Sequence, residues 1–215
     1  AKKVVAVEID SNLCAELERK FSHNPRVLVV RADILKLDLS SLLGDFPRRN
    51  TKVVGNLPYQ ITSPILWRLF EKYQRIGACL LMMQTEVAQR IVASPGGKDY
   101  GALSVGVSYY SETKIVRTFS PNQFYPSPRV SSSLVRLRLQ ARPKVIVENE
   151  ILFFHIVRVA FQFRRKMLRN AILRSALSVP GTLLDEVFDQ LGIDGQRRGE
   201  TLAIQEFASL ANCIN

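Results

Sequence analysis

The sequence predicts an α/β domain followed by a smaller, mainly helical one, on three observations. Short apolar runs stand at 4–9, 26–31, 52–55 and 77–84, the first three rich in β-branched residues, and stretches of helical spacing or polar connections separate them. The run at 77–84 (Gly-Ala-Cys-Leu-Leu-Met-Met-Gln) is apolar without alternation, as in a central strand of a parallel sheet. Beyond a linker at 141–144 only helical patterns remain. The division falls at 1–145 and 146–215.

In order, residues 4–10 form a strand ending in the carboxylates Glu8 and Asp10, and Asp10 is placed to cap the helix after it. That helix, 11–21, carries Leu13, Leu17 and Phe21 at a spacing of four. A second strand at 26–31 leads into Ala32-Asp33-Ile34, and a polar connection fills 35–50. The strand at 52–55 delivers the corner Gly55-Asn56-Leu57-Pro58-Tyr59. A helix to residue 73 follows, with Thr62 or Ser63 as its cap and Leu66, Leu69 and Phe70 on one side. Trp67 fits either core or surface. After the strand at 77–84 come helices at 85–93 and 100–110, then an antiparallel pair at 113–119 and 132–139. Phe124 stands at the tip of the loop between that pair, which Pro126 and Pro128 stiffen. A long helix at 148–163 runs into the cations Arg164, Arg165, Lys166 and Arg169, and helices at 183–191 and 202–211 close the chain.

Charge narrows the partners. The chain carries a net +11, with +11 on residues 1–145, +4 on 146–179 and −4 on 180–215. A polyanion lying over the first domain and the start of the second matches that distribution. No apolar run approaches the ~18 residues needed to span a bilayer. Cys14, Cys79 and Cys213 are scattered, as in a reduced compartment, and with His23 and His155 they give no metal-ligand spacing.

The corner at 55–59 carries the chemistry. Pro58 forces Leu57 extended and turns its carbonyl off the strand axis, beside the Asn56 amide and the Tyr59 ring. Two acceptors and an aromatic face suit a planar group bearing an exocyclic NH2, such as adenine. Gly55 would let the backbone come close to a ligand. A plain strand-to-loop corner is the competing reading of so short a motif.

Gly55-Asn56-Leu57-Pro58-Tyr59 resembles the catalytic motif of S-adenosylmethionine-dependent adenine-N6 methyltransferases, most closely the KsgA-type small-subunit rRNA adenine dimethyltransferases. Gln84-Thr85-Glu86-Val87, the Phe-x-Pro-x-Pro-x-Val-x-Ser pattern from Phe124 to Ser132, and the segment 161–170 are similar to further motifs of that family, in the same order. The resemblance implies a Rossmann-like α/β methyltransferase domain with a mainly helical C-terminal domain. Asn56, Leu57, Pro58 and Tyr59 would act at the target amine, and Phe124 would close over the base opposite Tyr59. Glu8 would hold the cofactor's ribose, Ile9 would lie beside it, Asp33 would accept from the adenine amine, Ile34 would pack on that ring, and Asn56 would face the methyl donor. Arg164, Arg165, Lys166 and Arg169 would grip rRNA.

The reaction implied is transfer of methyl groups from S-adenosylmethionine to N6 of small-subunit rRNA adenines, without metal, by a cytoplasmic monomer acting on a pre-ribosomal particle. The family also carries a glycine-rich Glu-x-Gly-x-Gly loop on a central strand before the position of Glu8. Without that segment the chain is expected to be inactive, with residues 1–35 loosely held. Two alternatives stay open: a non-catalytic rRNA-binding assembly factor, and a macrolide-resistance methyltransferase acting on large-subunit rRNA.

Overall fold

The computed structural model describes residues 1–44, 46, 49–163 and 165–215. The elements are β1 (Val4–Glu8), α1 (Ser11–Phe21), β2 (Val27–Arg31), α2 (Leu39–Leu43), β3 (Thr51–Asn56), α3 (Thr62–Phe70), β4 (Ile76–Gln84), α4 (Thr85–Val92), α5 (Ala102–Tyr110), β5 (Ser111–Phe119), β6 (Ser132–Leu139), α6 (Glu150–Gln162), α7 (Leu168–Leu173), α8 (Gly181–Leu191) and α9 (Ile204–Ile214). The strands pair in two groups. β1 and β2 are parallel, with Glu8 opposite Arg31, and the second sheet has the order β3-β4-β6-β5. Within it β3 and β4 are parallel, so Asn56 lies level with Met82, and the other pairs are antiparallel. Among the described residues no ladder joins the two sheets.

Local chemistry sets the ends of these elements. The Asp10 carboxylate accepts from the N–H groups of Asn12 and Leu13, so it caps α1, while Arg19 and Lys20 complement the dipole in the last turn. Asn149 caps α6 in the same manner through the Leu152 N–H. At α3 the expected cap is absent. The capping position is Ile61, and the Thr62 hydroxyl, buried, donates back to the Pro58 carbonyl at 3.3 Å. The connection read as irregular holds the short helix α2, whose Leu39 and Leu43 are buried.

One apolar core runs from the larger sheet into the C-terminal helices. Leu81, Met83, Val135 and Leu137 of β4 and β6 are fully buried with Leu66 of α3, Val105 and Val107 of α5, Ile156 of α6 and Phe207 and Leu210 of α9. Where α3, α5 and α6 meet, the rings of Trp67, Phe70, Tyr73, Tyr109, Tyr110, Phe153 and Phe154 form a seam with centroids 4.8–6.0 Å apart. Trp67 is thus at once packed and partly exposed. Gly106 makes room for it, since a Cβ there would fall 2.3 Å from the indole. Tyr109 donates to Glu150 Oε2 at 3.3 Å and Tyr110 to Oε1, tying the end of α5 to the start of α6. Burial, and then the Glu150 carboxylate, pushes both phenols well above their usual range.

Among the described residues no helix is long and apolar enough to cross a membrane, and no cluster of three or more His, Cys, Asp or Glu is placed to hold a metal ion.

Candidate active site

The residues predicted to hold the cofactor and the target amine lie at the ends of β1, β2 and β3, on two sheets. These are the C-terminal ends of parallel strands, where α/β sheets bind ligands. β3 runs through Asn56, and the Leu57 N–H continues its pairing by donating to the Met82 carbonyl at 2.9 Å. The Leu57 side chain is buried and holds the corner in place. Pro58 then takes φ −58° and ψ 131° and ends the strand. Asn56 is exposed. Among the described residues neither its side-chain amide nor the Leu57 carbonyl has a hydrogen-bond partner, so both acceptors are left for a ligand.

Gly55 has a different role from the one its sequence position suggests. A Cβ at this glycine would lie 3.0 Å from Leu57 Cδ2 and 3.6 Å from Leu81 Cδ2. Its open side therefore faces the core, where it makes room for the leucine that anchors the corner.

Tyr59 is half-buried, and its hydroxyl is 2.8 Å from the hydroxyl of Ser132, which is buried at the start of β6. Ser133, next in the strand, bonds the hydroxyls of Thr85 and Thr118 at 3.0 Å each. These two serines brace the corner, the start of α4 and β5 against the start of β6. Sequence reasoning passed over them as strand residues. Their signal was a polar pair opening an otherwise apolar strand, which burial makes costly unless each hydroxyl is bonded.

Phe124 is half-buried, with its ring edge-on to Phe119 at 6.2 Å, and makes no ring contact with Tyr59 among the described residues. The fully exposed aromatic at the loop apex is instead its neighbour Tyr125, a correction to the expectation that Phe124 stands at the tip.

On the smaller sheet, Glu8 Oε1 accepts from the N–H groups of Ile9 and Asp10 at 2.7 and 2.9 Å, which points its carboxylate across the strand end. Ile9 is exposed. Asp33 Oδ1 accepts from the Leu35 N–H at 2.9 Å and shapes the turn that follows β2, while Ile34 packs partly buried against the core. Each carboxylate uses only one oxygen in these bonds. A diol donating to Glu8 and an amine donating to Asp33, with a ring over Ile34, match the acceptors and the apolar surface present, so these residues fit a nucleoside cofactor.

Of the basic residues after α6, Arg164 lies outside the described residues. Arg165 and Lys166 are exposed. Arg169 differs: its guanidinium donates to both carboxylate oxygens of Asp185 at 2.5 and 2.7 Å, joining α7 to α8. That hydrogen-bonded pairing holds the Asp185 carboxyl below its ordinary value.

A sequence model of the family Ribosomal RNA adenine dimethylase matches residues 1–215. The chain belongs to this dimethylase family. It is 46% identical over 213 residues to the ribosomal RNA small subunit methyltransferase A of Alkaliphilus oremlandii, across 99% of this chain and 74% of that protein. With the protein of the same name from Bacillus thuringiensis it shares 42% over 218 residues, across 100% and 75%. The dimethylase fold superimposes on a dimethyladenosine transferase from Plasmodium falciparum with a TM-score of 0.80 at 24% identity, across 98% of this chain and 81% of that one. It also superimposes on the 23S rRNA methyltransferase ErmE with a TM-score of 0.70 at 25% identity, across 100% and 82%. The Rossmann-like expectation is met, with β1–β4 and their helices as its parallel part.

Proposed function

We propose that this chain is an S-adenosylmethionine-dependent adenine-N6,N6 dimethyltransferase that modifies small-subunit rRNA. The observation that carries the reading is the corner at β3. The Asn56 amide oxygen and the Leu57 carbonyl, both without partners among the described residues, lie in the chain just before a Tyr59 ring fixed through Ser132. The relatives named as small-subunit methyltransferases support the choice of substrate.

When bound, S-adenosylmethionine supplies an electrophilic methyl group on a sulfonium. Glu8 would hold its ribose, Asp33 its adenine amine and Ile34 its ring, with Ile9 alongside. The remaining work falls to the corner. The N6 lone pair of adenine is delocalised into its ring, so the amine is a poor nucleophile. Two acceptors that bind its hydrogens favour a tetrahedral nitrogen and stabilise the positive charge that grows there as the new N–C bond forms. After one transfer a single N–H remains, and one acceptor suffices to orient it for the second. Tyr59 stacks on the base, and Phe124 closes the other side of a nucleotide drawn out of its RNA stack.

Residues 1–145 then form the chemical domain, and residues 146–215 present Arg165 and Lys166 to phosphates of a pre-ribosomal particle. Arg169, with its fork on Asp185, orders this surface. The setting is the cytoplasm, and the working form is a monomer. The 215 residues alone are expected to turn over poorly, because Glu8 and Asp33 stand at the end of one sheet and Asn56 at the end of the other, with no ladder among the described residues fixing their separation.

The test is to incubate a polypeptide of the relatives' length with labelled cofactor and unmethylated small subunits, then map the modified adenines. N6-dimethyladenine in small-subunit rRNA is the expected product. Methylation of large-subunit rRNA alone, the activity in the name of the ErmE neighbour, or RNA binding without transfer, would overturn the reading.

A further inference from the structure

Tyr125 is fully exposed, at 101% of its reference surface, whereas Phe124 and Phe119 beside it are half-buried. An aromatic ring left wholly in water forgoes the burial that ordinarily places it. Its mount is nevertheless braced at several points. The Ser127 hydroxyl donates to the Pro121 carbonyl at 2.9 Å, and Gln123 Oε1 accepts from the Ser120 N–H at 3.0 Å. The Phe124 N–H donates to the Pro121 carbonyl at 3.2 Å, and the Phe124 ring meets Phe119, over which the Arg117 guanidinium lies at 5.1 Å. Ser132, at the far end of the same loop, holds Tyr59. The loop thus presents one bare ring seven residues before the serine that holds Tyr59, with the exposed cation Arg129 four residues on.

We infer that Tyr125 is a second stacking platform, taking an unpaired base of the RNA next to the adenine that enters the site. An aromatic face suits any base, since every base has a π-face, and the flanking arginines suit the phosphates on either side. A flipped adenine leaves its neighbours unstacked, so a ring outside the pocket restores some of that stacking. A protein partner would also accept an exposed tyrosine, but the net charge of +11 and the link through Ser132 to the corner favour RNA. The inference rests on the rRNA reading above.

The test uses a polypeptide of the relatives' length and a small-subunit rRNA fragment containing the mapped adenines. Affinity is measured across a salt series for the unaltered protein, Tyr125→Ala, Tyr125→Phe and Tyr125→Trp. Tyr125→Ala should weaken binding about 5- to 100-fold at every salt concentration without changing the slope of log K against log salt, because a ring and no cation has been removed. Tyr125→Phe and Tyr125→Trp should stay within about threefold, and all four proteins should melt alike. Unchanged affinity in Tyr125→Ala, or an equal loss in Tyr125→Phe, overturns the inference. Loss of a protein partner with RNA affinity intact overturns it too. Methylation by the unaltered protein distinguishes the levels: transfer retained with an indifferent Tyr125 sinks only this inference, while no rRNA binding at all sinks the function as well.

Discussion

Replacing Tyr59 by phenylalanine and Ser132 by alanine, singly and together, isolates the bond that fixes the Tyr59 ring. Ser132 is 1% exposed, and its hydroxyl partner is Tyr59 at 2.8 Å. Tyr59→Phe leaves that buried hydroxyl without a partner, at a cost of about 1–3 kcal/mol. Ser132→Ala leaves a phenol that is half-buried and can turn to water, so the cost is about 0.5–1.5 kcal/mol. The double variant has no orphaned group and should be less destabilised than the sum of the single variants by about 1 kcal/mol. For a chain of this size each kcal/mol moves the melting midpoint by about 2–4 °C. Urea and thermal unfolding of the four proteins read the cycle directly. Methyl transfer gives an independent check, because Phe keeps the stacking face and Tyr59→Phe should retain more activity than Tyr59→Ala. Additive destabilisation, within about 0.3 kcal/mol, would show that the hydroxyl pair does not hold the ring.

Three further outcomes follow from the site and its surroundings. Asn56→Ala should lower the transfer rate by roughly a hundredfold, on the order of 3 kcal/mol, with rRNA affinity little changed, as single-turnover kinetics beside filter binding would register. Changing Arg165 and Lys166 together to alanine should flatten the salt dependence of RNA binding by about 0.7–0.9 in log–log slope for each phosphate no longer neutralised, and an unchanged slope would reduce them to solvated surface. Asp185→Asn should destabilise the fold above pH ~4 and progressively less below it. Arg169 lowers the carboxyl pKa in the folded state, so the paired carboxylate stabilises above its unfolded value of 3.8, and the gain is lost as pH falls through the lower folded value. Denaturation midpoints of the two proteins that differ equally at pH 3 and pH 7 would contradict this.

The parts of the molecule legible in its sequence are those that local chemistry decides. β-Branched runs became strands, Asp10 became the cap it was placed to be, and the corner at 55–59 turned where Pro58 required. What escaped depends on partners far along the chain. Gly55 reads as an approach to ligand until Leu57 and Leu81 are seen filling its open side. Arg169 reads as one cation among four until Asp185, sixteen residues later, is found in its fork. Helix α2 is five residues long, too short to show a period, and the burial of Leu39 and Leu43 is what places it. Ser132 closes the pattern that begins at Phe124 and Ser133 follows it, but neither shows its role there, because what distinguishes them is hydroxyls from three other segments.

The bond from Tyr109 and Tyr110 to Glu150 bears on how a substrate is measured. It clamps the first turn of α6 to the last turn of α5, within the ring seam that α3 also joins. α6 is then a strut of 13 residues, about 20 Å, that cannot swivel at its root. On the proposed function, the cations beyond its far end and the corner at β3 would be the two jaws of a caliper set at one opening. An RNA whose target base lay at another distance from its rigid stem would touch either jaw but not both. Selection among adenines would then come from the length of a lever, with no need to read the bases in between.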